Sequence, residues 1–420
     1  MMFKCSTILT TLLLIFLMTI SVESDSSEDT NRCKGFEEYR GQIDCKYNPD
    51  DYLDVPQIIA RHGYPVEIHI VTTSDGYLLT LHRIIGSKNG IKGKQPVLLS
   101  HGVLGSSADW ILDGDTALGY LLADNGYDVW MKNDRGNIYS KGHVSLPNWS
   151  AQYWNFSFHE MGIYDLPAIV SYISNITGKG GDLLYIGHSM GTTQFFVFSS
   201  LFPKLAAKHI KLMVGLAPTA YMTHIRSPIR YLAPFSNDLN WLAKHLGITE
   251  IKRESKFFEM LTFICETFQS KKICSNVLFL LCPSERNETN TAILPTIFAH
   301  DPAGSSVKNF IHYAQEIKDH GNFQYFDYGA KQNMIIYGNA TPPSYPIKNI
   351  QVPIYLVYAP NDMMTSPIDV LRLSKKLRNL AGLYKVPDND FTHLDYIFGK
   401  YVYQLVYKPI LKVLRNYTDV

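Results

Sequence analysis

The sequence carries almost no net charge, which limits the kinds of partner it can bind. Its 39 Lys and Arg residues are balanced by 38 Asp and Glu residues, and the formal net charge is +1. A protein that binds nucleic-acid phosphates usually concentrates positive charge, so we expect no nucleic-acid partner. Charged residues are also scarce at 18%, whereas hydrophobic residues reach 46%. Because disordered chains show the opposite balance, we expect a large buried core.

Long hydrophobic runs are lacking too, except for one near the start of the sequence. Residues 8–20 are apolar apart from threonines, and this run of 13 residues is shorter than the roughly 20 that span a membrane. Lys4 precedes the run, and modest side chains follow it, as in a secretory signal peptide. We predict a signal peptide at residues 1–24, with an uncleaved anchor as the alternative. No later segment reaches spanning length without charge or proline, so we expect no transmembrane segment in the mature chain.

Cysteine is the third scarce feature. The chain has 6 cysteines, and five remain after the signal peptide: Cys33, Cys45, Cys265, Cys274 and Cys282. Their spacings match no zinc-binding pattern, and an odd number leaves at least one thiol without a partner in the chain. We predict a disulfide between Cys265 and Cys274, which leaves Cys282 as the unpaired thiol if the first two cysteines also pair.

Asn-x-Ser/Thr sequons also favour secretion, although any single match can arise by chance. The sequons lie at Asn148, Asn155, Asn175, Asn287, Asn339 and Asn416. With the signal peptide, they predict a secreted, glycosylated protein.

The order of apolar segments predicts an α/β fold with a mainly parallel sheet. Two short β-branched and aromatic runs, at residues 66–71 and 77–84, flank a Ser-Asp-Gly turn and predict a hairpin. Further along, compact apolar runs alternate with helical patterns, which is typical of βαβ units. This alternation stops at about residue 218 and resumes after residue 349. We therefore predict a core formed by residues 25–217 and 350–420, with a mostly helical cap or lid at 218–349 over the sheet.

The motif with the most chemical content is Gly187-His188-Ser189-Met190-Gly191. A predicted strand at 182–186 precedes it and a helical pattern at 192–200 follows it. Strand, tight turn and helix are the context of a nucleophile elbow, in which glycines leave room around a strained serine. We predict that Ser189 is a nucleophile. The alternative is an ordinary glycine turn whose serine caps the helix.

A serine hydroxyl is a weak nucleophile, so it needs a base and an acid that orients the base. After such an elbow, the acid and then the histidine follow in sequence. Only His393 lies beyond the last predicted strands, and Asp362 follows the apolar run 354–358 in a loop. We predict that they are the base and the acid; the alternatives are a helix-entry histidine and a turn-forming aspartate. Three other aspartates lie too close to His393 in sequence to be preferred: Asp388, Asp390 and Asp395.

Acyl transfer also requires two hydrogen-bond donors for the oxyanion that forms in the transition state. The backbone N–H of Met190 lies at the start of the predicted helix and is the first candidate. His101-Gly102-Val103-Leu104-Gly105 follows a predicted strand, and we favour the N–H of Val103 as the second donor. The alternative is an ordinary turn at the end of that strand.

Together these segments resemble the acid lipase family, which includes gastric and lysosomal lipases. The resemblance covers the chain from about Asp54 to its end and includes the predicted cap. Besides the elbow, it rests on the following segments: Asp75-Gly76-Tyr77, His101-Gly102-Val103-Leu104, Gly126-Tyr127-Asp128-Val129-Trp130, Arg135-Gly136-Asn137, Phe156-Ser157-Phe158-His159-Glu160-Met161, Tyr164-Asp165-Leu166-Pro167-Ala168 and Pro302-Ala303-Gly304-Ser305-Ser306.

The resemblance implies an α/β-hydrolase fold with a large cap or lid and an enzyme that cleaves neutral lipid esters at a lipid–water interface. It implies the same triad, Ser189, Asp362 and His393, and supports the Cys265–Cys274 disulfide. No cofactor or metal is expected. The alternatives are a sterol-ester hydrolase of an acidic, lysosomal compartment and a non-catalytic lipid-binding protein on the same fold.

Two positions depart from the pattern of the vertebrate family members. Met190 stands where those members usually have Gln, and Thr392 stands where they usually have Asn. Because the predicted oxyanion donor is the backbone N–H of Met190, the first change leaves the donor in place. Either change could shift the pH optimum or the substrate preference.

Overall fold

The computed structural model describes residues 48–231, 233–251, 290, 293–318 and 322–418. All elements named below belong to one compact unit, Pro49–Val420. Several predicted features lie outside the described residues: the signal peptide at 1–24, the cysteines Cys33, Cys45, Cys265, Cys274 and Cys282, and the sequon at Asn287.

A sheet of nine strands forms the centre of this unit, in the order β1-β2-β4-β3-β6-β7-β10-β11 with β5 beside β2. Its strands are β1 (Val66–Thr72), β2 (Tyr77–Ile84), β3 (Gln95–Ser100), β4 (Tyr127–Lys132), β5 (Gly142–His143), β6 (Leu183–His188), β7 (Ile210–Leu216), β10 (Ile354–Tyr358) and β11 (Leu380–Lys385). A separate two-stranded sheet pairs β8 (Glu250–Ile251) with β9 (Ser305–Ser306).

The pairing confirms the predicted mainly parallel sheet. β4, β3, β6, β7, β10 and β11 run parallel to one another. β1 and β2 form the predicted antiparallel hairpin, and β2 joins it to β4, again antiparallel. Every residue of β3, β4 and β6 is buried, which explains why these strands read as continuous apolar runs in the sequence.

Helices lie on both faces of the sheet and in the segment between β7 and β10. They are α1 (Val55–Arg61), α2 (Leu118–Asp124), α3 (Leu166–Thr177), α4 (Met190–Leu201), α5 (Pro203–His209), α6 (Ser236–His245), α7 (Leu294–His300), α8 (Val307–Lys318), α9 (Ala330–Tyr337), α10 (Pro367–Ser374), α11 (Asp395–Phe398) and α12 (Lys408–Arg415). None of the helices in the described ranges is both long enough and apolar enough to cross a membrane.

Two hydrophobic cores result, one on each side of the sheet. Val97 and Leu99 of β3 point into the core that contains α2 and α12, whereas Leu98 points into the core that contains α3 and α4. Successive side chains of a strand point to opposite faces, so one buried strand contributes to both cores.

The elbow differs in its boundaries from the predicted strand at 182–186 and helix at 192–200. β6 continues through Gly187 to His188, and α4 begins at Met190, so only Ser189 separates strand from helix. Because glycine has a low propensity for both strand and helix, the sequence pattern predicts a strand that ends before Gly187 and a helix that begins after Gly191.

The segment between β7 and β10 contains four helices in its described part, α6 to α9, and the short strands β8 and β9. Its helical content agrees with the pattern of the sequence. The assignment of residues 218–349 as a separate cap or lid stays a prediction.

Candidate active site

Ser189 occupies the turn between β6 and α4 in a strained backbone conformation. Its φ is 51° and its ψ is −115°, in a region that residues other than glycine rarely adopt. Hydrogen bonds hold it there: its N–H donates to the carbonyl oxygen of Leu216 over 3.0 Å, and its carbonyl oxygen accepts from the N–H of Thr192 over 2.9 Å. The turn therefore presents the serine hydroxyl at the carboxyl end of the parallel strands.

The two motif glycines are required because the backbone is crowded on both sides of Ser189. A Cβ atom at Gly187 would lie 2.9 Å from the carbonyl carbon of Gly191, and a Cβ at Gly191 would lie 2.2 Å from the carbonyl oxygen of Ser100. Neither distance leaves room for a carbon atom. This crowding explains the glycine spacing that the sequence showed.

The structure brings the three predicted triad residues together in one hydrogen-bonded series. Nε2 of His393 lies 2.8 Å from Oγ of Ser189, and Nδ1 of His393 lies 2.9 Å from Oδ2 of Asp362. The serine hydroxyl donates to Nε2 when Nδ1 carries the ring proton and donates to the carboxylate. Ser189 is 9% exposed, His393 5% and Asp362 0%. This arrangement allows the imidazole to take the serine proton while the carboxylate fixes the ring.

Asp362 is an ionised carboxylate despite its complete burial. Burial alone would raise its pKa, but the charge and hydrogen bond of His393, together with the hydrogen bonds from Thr365, lower the pKa below its ordinary value. The hydroxyl of Thr365 donates to Oδ2 over 2.5 Å, and its backbone N–H donates to Oδ1 over 2.8 Å. The N–H of Met364 donates to Oδ1 as well, over 2.8 Å. The loop after β10 thus both positions this carboxylate and keeps it charged.

The loop that carries His393 is fixed by Asp395, one of the aspartates that the sequence analysis did not prefer as the triad acid. Oδ2 of Asp395 accepts hydrogen bonds from the N–H and from the hydroxyl of Thr392, each over 2.7 Å. Asp395 is fully buried at the start of α11. Its role in the structure is to hold the loop, whereas Asp362 is the carboxylate that contacts His393. A threonine three residues before an aspartate at a helix start was the available signal for this contact.

The loop after β3 lies beside the serine, as expected for a segment that would supply an oxyanion donor. A Cβ atom at Gly102 would lie 3.4 Å from the Cβ of Ser189, so the loop contacts the serine closely. Leu104 has a φ of 65°, and its carbonyl oxygen accepts from the N–H of Ala303 over 2.6 Å. Val103 lies between these two residues.

Met190 supplies the other candidate donor at the first position of α4, where helix N–H groups lack partners inside the helix. Its side chain is buried, and Nδ2 of Asn309 lies 2.9 Å from its sulfur atom. Oδ1 of Asn309 accepts a hydrogen bond from the N–H of Phe158 over 3.0 Å. The methionine side chain therefore packs against α8, while the backbone N–H remains the group relevant to an oxyanion.

Two family descriptions match the chain. The family described as "Partial alpha/beta-hydrolase lipase region" matches residues 55–114, and the "alpha/beta hydrolase fold" matches residues 95–251. The second match agrees with the parallel sheet, the helices on both faces and the elbow described above.

Full-length relatives extend the likeness over most of the sequence. "Lipase 3" of Drosophila melanogaster is 40% identical over 87% of this chain and 93% of its own length. "Gastric triacylglycerol lipase" of Bos taurus is 38% identical over 87% of this chain and 92% of its own. "Lysosomal acid lipase/cholesteryl ester hydrolase" of Homo sapiens is 36% identical over 88% and 92%, respectively. The chain therefore belongs to the acid lipase family of carboxylic ester hydrolases with the α/β-hydrolase fold.

Proposed function

We propose that this protein hydrolyses acylglycerols or related neutral lipid esters through an acyl-enzyme intermediate on Ser189. The observation that carries the proposal is the series of hydrogen bonds from Ser189 through His393 to Asp362, at 2.8 and 2.9 Å. Each group has the partner that its role requires: the hydroxyl has a base, and the base has a buried carboxylate.

In the first half of the reaction, Oγ of Ser189 bonds to the acyl carbon while Nε2 of His393 takes the hydroxyl proton. The negative oxygen of the tetrahedral intermediate accepts hydrogen bonds from the N–H groups of Met190 and Val103. When the intermediate collapses, the bond to the alcohol breaks and His393 protonates the leaving oxygen. A water molecule, deprotonated by His393, then attacks the acyl-enzyme, and the fatty acid leaves with Ser189 restored. These steps use no cofactor or metal.

The substrate class rests on the family and on the electrostatics of the chain. Two of the relatives are named for triacylglycerols and for cholesteryl esters, and both compounds are uncharged lipid esters. The net charge of +1 gives this chain little long-range preference for charged substrates. A sterol-ester hydrolase is the second candidate, favoured by the likeness to the cholesteryl ester hydrolase. A non-catalytic lipid-binding protein would have no need of the complete triad geometry.

Secretion is the location that we propose, with the lysosome as the alternative. Four of the predicted sequon asparagines are exposed, namely Asn155, Asn175, Asn339 and Asn416, and Asn148 is partly exposed. A glycosyl transferase needs this access to the side-chain amide. The predicted signal peptide supports the same route through the secretory pathway.

A panel of two substrates tests the proposal directly. The protein is produced with its own N-terminal segment in secreting cells, and the release of oleate from triolein and from cholesteryl oleate is measured between pH 4 and pH 8. We expect turnover of triolein, and faster turnover of cholesteryl oleate at acidic pH would favour the second candidate. Labelling with a fluorophosphonate reports on the serine independently of the lipid.

The matched controls are Ser189→Ala and Ser374→Ala. Ser374 lies at the end of α10, where its hydroxyl donates to the carbonyl oxygen of Leu371. We expect Ser189→Ala to abolish both turnover and labelling, and Ser374→Ala to retain both. Full activity in Ser189→Ala, or wild-type protein that neither labels nor hydrolyses either ester, would show that the proposed function is wrong.

A further inference from the structure

The two candidate oxyanion donors belong to segments that are separate in the fold. The N–H of Val103 lies in the loop after β3, whereas the N–H of Met190 begins α4 after β6. An oxyanion hole works only when both donors point at the same atom, because catalysis depends on preorganised geometry. A group that contacts both segments could keep the donors aligned, and Asp134, which follows β4, has such contacts.

The contact with the loop runs through His101. The backbone N–H of Asp134 donates to Nε2 of His101 over 3.2 Å. Because an amide N–H cannot accept, Nε2 carries no proton, so Nδ1 holds the ring proton and donates to the carbonyl oxygen of Gly102 over 2.7 Å. Burial, with a contribution from the charge of Lys132, lowers the pKa of His101 to about 3, which agrees with a neutral ring. The same carbonyl oxygen accepts from the N–H of Gly105 over 3.2 Å.

These bonds determine where the N–H of Val103 points. The carbonyl of Gly102 and the N–H of Val103 belong to one planar peptide group and point in opposite directions. Two donors on the carbonyl oxygen of Gly102 therefore fix the direction of the candidate oxyanion donor.

The contact with the helix runs through Gln194. Oδ2 of Asp134 accepts a hydrogen bond from Nε2 of Gln194 over 2.9 Å. Gln194 is fully buried on α4, about one turn after Met190. This bond ties the first turn of α4, and with it the N–H of Met190, to the same aspartate.

Lys132 holds the aspartate side chain in place. Its ammonium group forms an ion pair with Oδ1 of Asp134, and the two side chains are 0% and 4% exposed. A buried charge without a partner is costly, so each of the two groups strongly favours the position that contacts the other. The carboxylate is thus held on one oxygen by Lys132 and is available on the other for Gln194.

We infer that Asp134 is a positioning residue that aligns the two halves of the oxyanion hole, the Gly102–Val103 peptide through His101 and the start of α4 through Gln194. It touches no reacting atom. The inference rests on the proposed function, since it concerns the transition state of ester hydrolysis at Ser189.

Two double variants test the inference without leaving a buried ammonium unpaired. Lys132→Met with Asp134→Ala removes both charges and the acceptor for Gln194. Lys132→Met with Asp134→Asn removes the same charges but keeps an amide oxygen in the place of Oδ2. A single variant, His101→Phe, retains the ring volume and deletes the hydrogen bond to Gly102.

The readouts are kcat and KM on p-nitrophenyl butyrate, the inhibition constant of a trifluoromethyl ketone that forms an oxyanion on the serine, and the unfolding temperature. We expect the alanine double variant and His101→Phe to lower kcat by about 10- to 100-fold, somewhat less than the loss of a whole donor. The ketone should bind more weakly by a similar factor while KM stays within about threefold of the wild type, since ground-state binding makes no use of the oxyanion. The asparagine double variant should have a kcat within about threefold of the wild type. A change of this size is too small for the loss of a transition-state hydrogen bond.

Asp182→Asn is the matched control, because Asp182 pairs with Lys211 on the surface, where the two side chains are 42% and 40% exposed. Equal kcat in the two double variants would overturn the positioning role, and so would a lower kcat without weaker binding of the ketone. In either case, the loss of activity in Ser189→Ala would still identify the protein as a serine hydrolase. A wild type that fails to hydrolyse the ester overturns the proposed function, and the inference with it.

Discussion

His188 donates a hydrogen bond from Nε2 to the backbone carbonyl oxygen of His393, over 2.9 Å. The residue just before the candidate nucleophile therefore holds the loop that carries the candidate base. Burial lowers the pKa of His188 to about 3, and the charge of His393 adds to this effect, so the ring is neutral. The two imidazole rings lie with their centroids 5.0 Å apart. One side chain thus couples the position of the elbow to the position of the base.

Replacing His188 should impair turnover without unfolding the protein. His188→Phe removes the hydrogen bond to His393 and keeps a ring in the buried site. We expect kcat to fall by about 10- to 100-fold, because small displacements of a catalytic group have effects of this size. His188→Gln retains an amide donor and should recover part of the loss. Measurements of kcat, KM and unfolding temperature on the two variants check this, and equal kcat in both would contradict it.

Asp362→Asn should strongly reduce catalysis and leave the fold intact. An amide at this position can donate to Nδ1 of His393 and so favours the wrong tautomer of the ring, and we expect kcat to fall by about 10³- to 10⁴-fold. The control is Asp388→Asn, in the exposed loop before His393, where the carboxylate accepts a local backbone hydrogen bond from Asp390. Activity that survives in Asp362→Asn and disappears in Asp388→Asn would show that the acid was assigned to the wrong aspartate.

Gly191→Ala should destabilise the elbow. The new Cβ would lie 2.2 Å from the carbonyl oxygen of Ser100, which is backbone and cannot move aside easily. We expect the free energy of unfolding to fall by about 3 kcal/mol, at the upper end of typical overpacking effects. Gly180→Ala is the matched control, since its Cβ would meet no atom within 4 Å. Chemical denaturation of both variants measures the difference, and equal stabilities would contradict the crowding argument.

The stability of the fold should depend on the buried carboxyl group of Asp109. Burial raises the pKa of Asp109 to about 6, although its hydrogen bond with Asp301 opposes the increase. Because the pKa of Asp109 is raised in the folded state, its protonated form stabilises the fold. This stabilisation is complete below the ordinary pKa of about 3.8 and is lost as pH rises through about 6. Asp109→Asn keeps a neutral side chain at every pH, so its stability relative to the wild type should increase between pH 4 and pH 7.

Unfolding by urea at several pH values measures this trend. If the free energies of unfolding of the wild type and Asp109→Asn differ by a constant amount over this pH range, the prediction is contradicted.

Much of the fold and of the candidate site follows from local sequence patterns. The hairpin strand β2 occupies the predicted residues 77–84, and β7 coincides with an apolar run that ends just before the predicted insertion. The sequence pattern at residues 383–386 predicts a last strand there, whereas β11 spans Leu380–Lys385. It starts earlier because it pairs with β10, where Gly382 faces the ring of Tyr355. Alanine and glycine in this stretch are poor strand formers, and only the neighbouring strand favours the extended conformation there.

The helical pattern in the sequence begins at Tyr164, but the structure is already helical at Met161. A π-helical turn, Met161–Asp165, precedes α3 and places Asp165 against the guanidinium of Arg135, which also pairs with Asp75. The sequence contains all three charged residues but no pattern that joins them, because they come from different elements. Their pairing is a consequence of packing, since a buried guanidinium is tolerated only beside carboxylates.

The sequence by itself determined the alternation of strands and helices, the elbow with its glycines and the order of serine, acid and histidine, because these depend on short-range periodicity and sterics. Only the tertiary structure decided which distant groups meet. His393 lies 204 residues after Ser189, and it contacts Asp362 rather than the aspartates that lie nearer to it in sequence. The tertiary structure likewise brings Asp134 into contact with both His101 and Gln194. Such contacts depend on how strands far apart in the chain lie side by side in the sheet, which no local pattern encodes.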